Sequence, residues 1–403
     1  MKTKRNYTIE FYRIMFAINF HVIHVYMVFA MMINRGVPVL AWGLDVILPF
    51  MIFAGYFLMQ GFKKQQRQAI ECGITPGQQA WGYLKSRFLS LLPIFLTAQF
   101  LGFIVNQIAF DAPLHQWPIR LLNHIGELVG LQIAGIGFGG TFVGAWGTAP
   151  PPMILLNSPL WFISGLFVAG YIVYYLLAKC ENAFIYFIGP VFALLFYGGR
   201  WITDSNPLWY NIYNIGDFFY TPGLPHMFVG LTIGCIIWVV VDKLRSKEFS
   251  RGMRGFVTVC SALLGIIIIY ITWVPQNIEF WGTLFRFNWS VVHILTIFFA
   301  LFVLWGADGF NRIFNRKIFA LPGRLAFYIY MLHYPIIVTL GFAMGITTAM
   351  GDLHRLMIIS LVATVVIAYL FMVLNNKVIQ PWFAKKPWYS EKQRELEKEE
   401  TVS

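Results

Sequence analysis

Runs of about twenty apolar residues recur along the whole chain, separated by shorter polar stretches, and this pattern restricts the fold more than any motif does. An apolar run of roughly 18 residues or more is long enough to cross a bilayer as a helix. In lipid the backbone N–H and C=O groups must be satisfied within the segment, which a helix achieves. Ten such spans are read at roughly 9–31, 41–61, 88–110, 159–178, 183–200, 225–242, 255–275, 288–307, 319–341 and 354–376. Only 12% of the 403 residues are charged, about half the share of a soluble domain. The expectation is an all-α integral membrane protein with about ten transmembrane helices, forming one polytopic domain over 1–380 and followed by a charged cytoplasmic tail over 381–403.

The net charge of +12 invites a nucleic-acid reading, but its placement points elsewhere. Of the 30 Lys and Arg, only Arg35, Arg120, Arg200, Arg286 and Arg355 fall in segments read as external. The clusters Lys63, Lys64, Arg67, Lys85, Arg87 and Lys243, Arg245, Lys247, Arg251, Arg254 fall in segments read as internal. This is the positive-inside bias, and it puts both termini in the cytoplasm. The partner it implies is the lipid bilayer, and no nucleic acid. The N-terminal apolar stretch contains Glu10 and Arg13 and is too long for a cleavable signal, so it reads as a retained first span. The 4 cysteines form no CxxC pair, so neither a disulfide nor a metal site is expected.

Three connections read as long: a polar cytoplasmic loop at roughly 63–87, an external loop at roughly 111–158 and another at roughly 201–224. The second carries the Gly-rich GIGFGGTFVGAWG and the Pro-rich APPPMILLNSP. It reads either as a partly re-entrant connector or as a wall for an external acceptor. No internal repeat is evident.

Ionisable residues inside a span are costly and usually mark a site or a pathway. On the first span Glu10, Arg13, Ala17, His21 and His24 recur at three- and four-residue spacing and form one polar stripe. Arg13 and His24 share a face to within about 20° and stand about 16 Å apart along the axis. Glu10 and Arg13, three apart, are placed to pair. His24 lies past mid-span, where a neutral imidazole is either a packing group or a base able to take a proton from a hydroxyl. Asp45 falls near the outer end of span two. His333, in FYIYMLHYP, falls near mid-membrane with Tyr330 three residues before it, placed to face the same interior as His24. Lys85 and Arg87 form a basic patch at the inner end of span three.

These segments resemble the membrane-bound acyltransferase-3 family. IEFYRIMFAINFHVIH is similar to its first helix with the Arg-x10-His pattern, met here by Arg13 and His24. LDVILPFMIFAGYFLMQGF, YLKSRFLSLLP, NSPLWFISGLFVAGY and GRLAFYIYMLHYPI resemble the family's second, third, fourth and late helices, in order, over roughly 8–380. Three positions depart from the pattern. Ala54 stands where the family has serine, Tyr56 where it has phenylalanine, and Arg87-Phe-Leu-Ser90 lacks the second arginine of an Arg-x-x-Arg pair, with Lys85 the candidate to compensate.

The resemblance implies an O-acyltransferase of the bacterial inner membrane, multi-pass. Acetyl-CoA or succinyl-CoA would be the cytoplasmic donor, and a hydroxyl of an extracytoplasmic or lipid-linked carbohydrate the acceptor. It implies His24, His333 and Glu10 as catalytic candidates, and Arg13, Lys85 and Arg87 as donor-binding candidates. Trp161, Tyr330 and Asp45 become acceptor-binding candidates. A polysaccharide or lipid-linked sugar exporter without acyl transfer is the alternative that ten spans with buried ionisable groups also accommodate.

Overall fold

The computed structural model describes residues 6–33, 47–109, 112–128, 130, 157–202, 223–273, 289–306, 309–346 and 350–384. Among these described residues ten long helices carry the fold. They are α1 (Tyr7–Ile33), α2 (Leu48–Glu71), α3 (Pro76–Ala109), α4 (Trp161–Ala183), α5 (Gly189–Ile202), α6 (Gly223–Arg245), α7 (Arg251–Trp273), α8 (Trp289–Trp305), α9 (Ala320–Ala343) and α10 (Met350–Leu374). Each overlaps one of the ten apolar runs. Among the described residues five helices are long and apolar enough to cross a membrane: Pro76–Ile108, Trp161–Tyr197, Leu224–Arg245, Lys317–Ala343 and Gly351–Trp382. This is a multi-pass membrane architecture.

The segment read as a cytoplasmic loop at 63–87 is helical, and that expectation is corrected. Its Gln, Lys and Arg are good helix formers, so α2 continues past its apolar part to Glu71, and α3 starts at Pro76. Only four residues separate them. Gly73, at φ +61°, ends α2 in a left-handed turn, with the Ile74 amide donating to the Ala69 carbonyl at 2.9 Å. Thr75 then caps α3: the Gln78 amide donates to Thr75 Oγ1 at 3.4 Å, and the Thr75 amide donates to Gln78 Oε1 at 2.9 Å. The external connection read at 111–158 opens with short helical pieces at Leu114–Gln116, Trp117–Asn123 and Ile125–Leu128. Residues 131–156, 203–222 and 385–403 lie outside the described residues, and with them the Gly- and Pro-rich stretch, most of the other external loop and the charged tail.

The inner turn expected between spans four and five is a backbone break at Cys180 (φ −152°, ψ 54°) followed by a wide helical turn at Phe184–Ile188. The closest helix pair is α2 with α6. A Cβ on Gly55 would overlap the Leu231 backbone, and one on Gly234 would overlap the backbone of Ile52 and Tyr56. Gly230 and Gly234, four apart, form a small-residue stripe that lets the two backbones touch. The second close pair, α1 with α9, carries the polar stripe. There Gly323 leaves room for the Glu10 carboxylate.

Candidate active site

His24 and His333 meet in the buried seam between α1 and α9, with ring centroids 4.9 Å apart and planes at 78°. His24 Nδ1 lies 2.8 Å from the Phe20 carbonyl oxygen, and His333 Nδ1 lies 2.7 Å from that of Tyr330. A carbonyl only accepts, so Nδ1 carries the hydrogen in both rings, and each neutral imidazole keeps its lone pair on Nε2. Both rings are thus set as bases through Nε2. His333 Nε2 is buried and has no partner among the described residues. Phe20 packs against both rings, at 4.2 Å and 5.5 Å. His21 stands 6.0 Å from His333, with its Nε2 2.9 Å from Ser360 Oγ of α10.

Tyr330 separates this pair from open space. Its ring lies 5.4 Å from Phe20, 5.8 Å from Phe162 and 6.0 Å from His333, and its hydroxyl donates to the Pro159 carbonyl. The same stretch of chain fastens α9 a second time. Pro335 has no N–H, so the Met331 carbonyl one turn earlier loses its helical donor. Asn157 supplies the replacement, its Nδ2 donating to that oxygen at 2.9 Å. The segment 157–160 is therefore bonded to α9 at Tyr330 and Met331, just ahead of His333.

On the other side of Tyr330 lies a cavity of about 780 Å³. Tyr330 and Phe162 contribute to its wall, as do the apolar Phe50, Phe53 and Leu166. Four cationic side chains line it as well: Arg13, Lys64, Arg87 and Arg324. Arg13 is held by Glu10 at 3.3 Å, the pair expected from their spacing. Four guanidinium or ammonium groups around one space suit a ligand bearing several phosphates. The apolar wall toward Tyr330 suits an uncharged arm.

The structure brings Arg13, Arg87 and Tyr330 into one wall and sets His24 and His333 behind Tyr330. Glu10 stands beside Arg13, about 21 Å along α1 from His24. Lys85 is exposed, about 200° around α3 from Arg87, and is not in the cavity wall. Trp161 opens α4 immediately before the lining residue Phe162, and is itself not in the wall. Asp45 lies outside the described residues.

Three residues of the site escaped the sequence reading. Lys64 read only as a topology signal. Arg324 carried a signal that went unused, a cation at the head of the segment that delivers Tyr330 and His333. Asn157 gave none, because its role depends on a proline 178 positions away.

The sequence matches the acyltransferase-3 family, described as an acyltransferase domain, across residues 14–373. No curated protein and no solved structure matches the chain. The matched stretch holds both histidines and three of the four cavity cations, Lys64, Arg87 and Arg324, and begins one residue after Arg13. The chain belongs to the acyltransferase-3 family and is a multi-pass membrane enzyme that transfers acyl groups.

Proposed function

We propose that this enzyme moves an acetyl or succinyl group from cytoplasmic acyl-CoA to a hydroxyl of an extracytoplasmic or lipid-linked carbohydrate in the bacterial inner membrane. The observation that supports this reading is the four-cation cavity, whose wall includes Tyr330, the residue in ring contact with His333. In this reading the N-terminus and the α2–α3 turn face the cytoplasm, and all ten helices cross.

Arg13, Lys64, Arg87 and Arg324 hold the donor phosphates, with exposed Lys85 on the approach and Glu10 orienting Arg13. The pantetheine arm runs along the apolar wall toward Tyr330. With the Tyr330 ring turned aside, the thioester carbonyl reaches His24 and His333. His24 Nε2 then takes the proton of the acceptor hydroxyl as its oxygen attacks the carbonyl carbon. The C–O bond forms, the C–S bond breaks, and the proton passes to the departing thiolate. Attack by Nε2 itself, giving an acyl-histidine that the hydroxyl later cleaves, uses the same lone pair and the same geometry. Trp161, Tyr330 and Asp45 serve as the acceptor-binding residues in this reading.

The test uses the full chain in lipid nanodiscs with labelled acetyl-CoA and succinyl-CoA and a panel of lipid-linked sugars. The wild type is expected to release CoA and acylate one acceptor, and His24→Ala to lose both by a factor on the order of 10²–10⁴. A His24→Ala protein that transfers at the wild-type rate overturns the assignment of His24.

A further inference from the structure

A second cavity, of about 530 Å³, opens between α2 and α3 and shares Phe57, Gly61 and Arg87 with the first. Its chemistry differs. Where the first wall has four cations, this one has, among the described residues, a single cation, Arg87, and four amides: Gln65, Gln68, Gln78 and Gln79.

Two of these amides are fixed by the turn that joins the helices. Gln78 Oε1 accepts from the Thr75 amide at 2.9 Å and from Thr75 Oγ1 at 3.0 Å, which leaves its Nε2 to donate. Gln79 Nε2 donates to the Ile74 carbonyl at 3.0 Å, which leaves its Oε1 to accept. A donor and an acceptor on adjacent residues are thus oriented before any ligand arrives. Farther in, Tyr83 and Tyr174 stack at 4.9 Å and 19°, and Arg87 lies 5.7 Å from the Tyr83 ring. A Cβ on Gly61 or Gly82 meets nothing within 4 Å, so these glycines leave the groove open.

We infer that this amide-lined groove binds the adenine end of the donor, an inference that rests on the acyl-CoA reading above. Adenine presents an amino donor beside a ring-nitrogen acceptor, the pattern that glutamine amides read. Gln79 Oε1 accepts from the amino group and Gln78 Nε2 donates to the ring nitrogen. The two cavities also follow the order of groups along the donor. Amides and flat rings come first for the base, then the cations from Arg87 onward for the phosphates. The apolar wall for the pantetheine follows, and then Tyr330 and the histidine pair for the thioester. The groove makes the enzyme selective for the nucleotide and not only for the thioester.

Equilibrium binding to the full chain in nanodiscs tests this without an acceptor. The probes are CoA, its hypoxanthine analogue and 4′-phosphopantetheine. Wild type is expected to bind CoA on the order of tenfold more tightly than the hypoxanthine analogue, which lacks the amino donor. Gln79→Leu is expected to abolish that preference. Gly82→Leu, which fills open space and favours the helix, is expected to weaken CoA about tenfold and leave 4′-phosphopantetheine unchanged. Equal binding of CoA and its hypoxanthine analogue by wild type overturns the inference, and so does a Gly82→Leu protein in which CoA and 4′-phosphopantetheine weaken alike or not at all. Failure of wild type to bind any of the three overturns the acyl-CoA reading itself, and the inference with it.

Discussion

Replacing Asn157 by alanine removes the side-chain donor that serves the Met331 carbonyl in place of the N–H that Pro335 lacks. A buried carbonyl left without a donor costs about 1–3 kcal/mol. The loss is reversible by design. Pro335→Ala restores an N–H aimed at the same oxygen, so in that background the Asn157 amide becomes redundant and its removal costs roughly 0–0.5 kcal/mol. The four proteins form a double-mutant cycle. Unfolding in a mild detergent, followed by tryptophan fluorescence against denaturant, gives the four stabilities. A coupling of about 1–2 kcal/mol is expected, well outside the roughly 0.3–0.5 kcal/mol scatter of independent sites. CoA release in nanodiscs should track it, since the same segment carries the Pro159 carbonyl that holds Tyr330. If Asn157→Ala costs the same with proline or alanine at 335, the proposed exchange of one donor for another is refuted.

Arg324→Gln keeps the length and polarity of the side chain but removes its charge from the cavity. It should raise the KM for acyl-CoA about tenfold, with kcat nearly unchanged. Steady-state kinetics checks this, and an unaltered KM would remove Arg324 from the phosphate site. Gly234→Leu forces a side chain into the backbone of α2 and should prevent recovery of monodisperse protein. Gly77→Ala, where a Cβ meets nothing within 4 Å, should behave as wild type, and size-exclusion chromatography of both variants checks the pair.

The helices over the ten apolar runs were legible, and five of them among the described residues are long and apolar enough to cross a membrane, because nothing distant is needed to recognise a run of Ile, Phe, Leu and Val. The Arg13–Glu10 pair and the common face of Arg13 and His24 follow from helix geometry, which is equally local. The α2–α3 turn is a different case. Gly73, Thr75, Pro76 and Gln78 spell a helix stop and a capped start, yet the polarity of 63–87 reads equally as a loop because solvent-exposed helix and loop share a composition. The meeting of His24 with His333 was an inference from membrane depth, and it places both rings in one seam. The Asn157 latch and the grouping of Lys64 with Arg324 were illegible. Each is a relation between side chains brought together only by packing, with no periodicity in either segment to announce it.

The length of α3 has a consequence for substrate capture. At 34 residues it is about 51 Å long, some 20 Å more than the thickness of a hydrocarbon core. In the proposed orientation the excess projects into the cytosol as the shared stalk of α2 and α3, with Gln78 and Gln79 at its tip. Acyl-CoA is a polyanion, and the inner leaflet carries a surface potential of about −30 mV that thins the anion population near it. That depletion fades over a Debye length of about 8 Å. Under the proposed acyl-CoA reading, the stalk would offer the first contact where bulk concentration prevails, and the cations nearer the bilayer would draw the captured molecule down through a layer that otherwise repels it. Shortening the stalk would lower the capture rate most in membranes rich in anionic lipid, and least at high ionic strength.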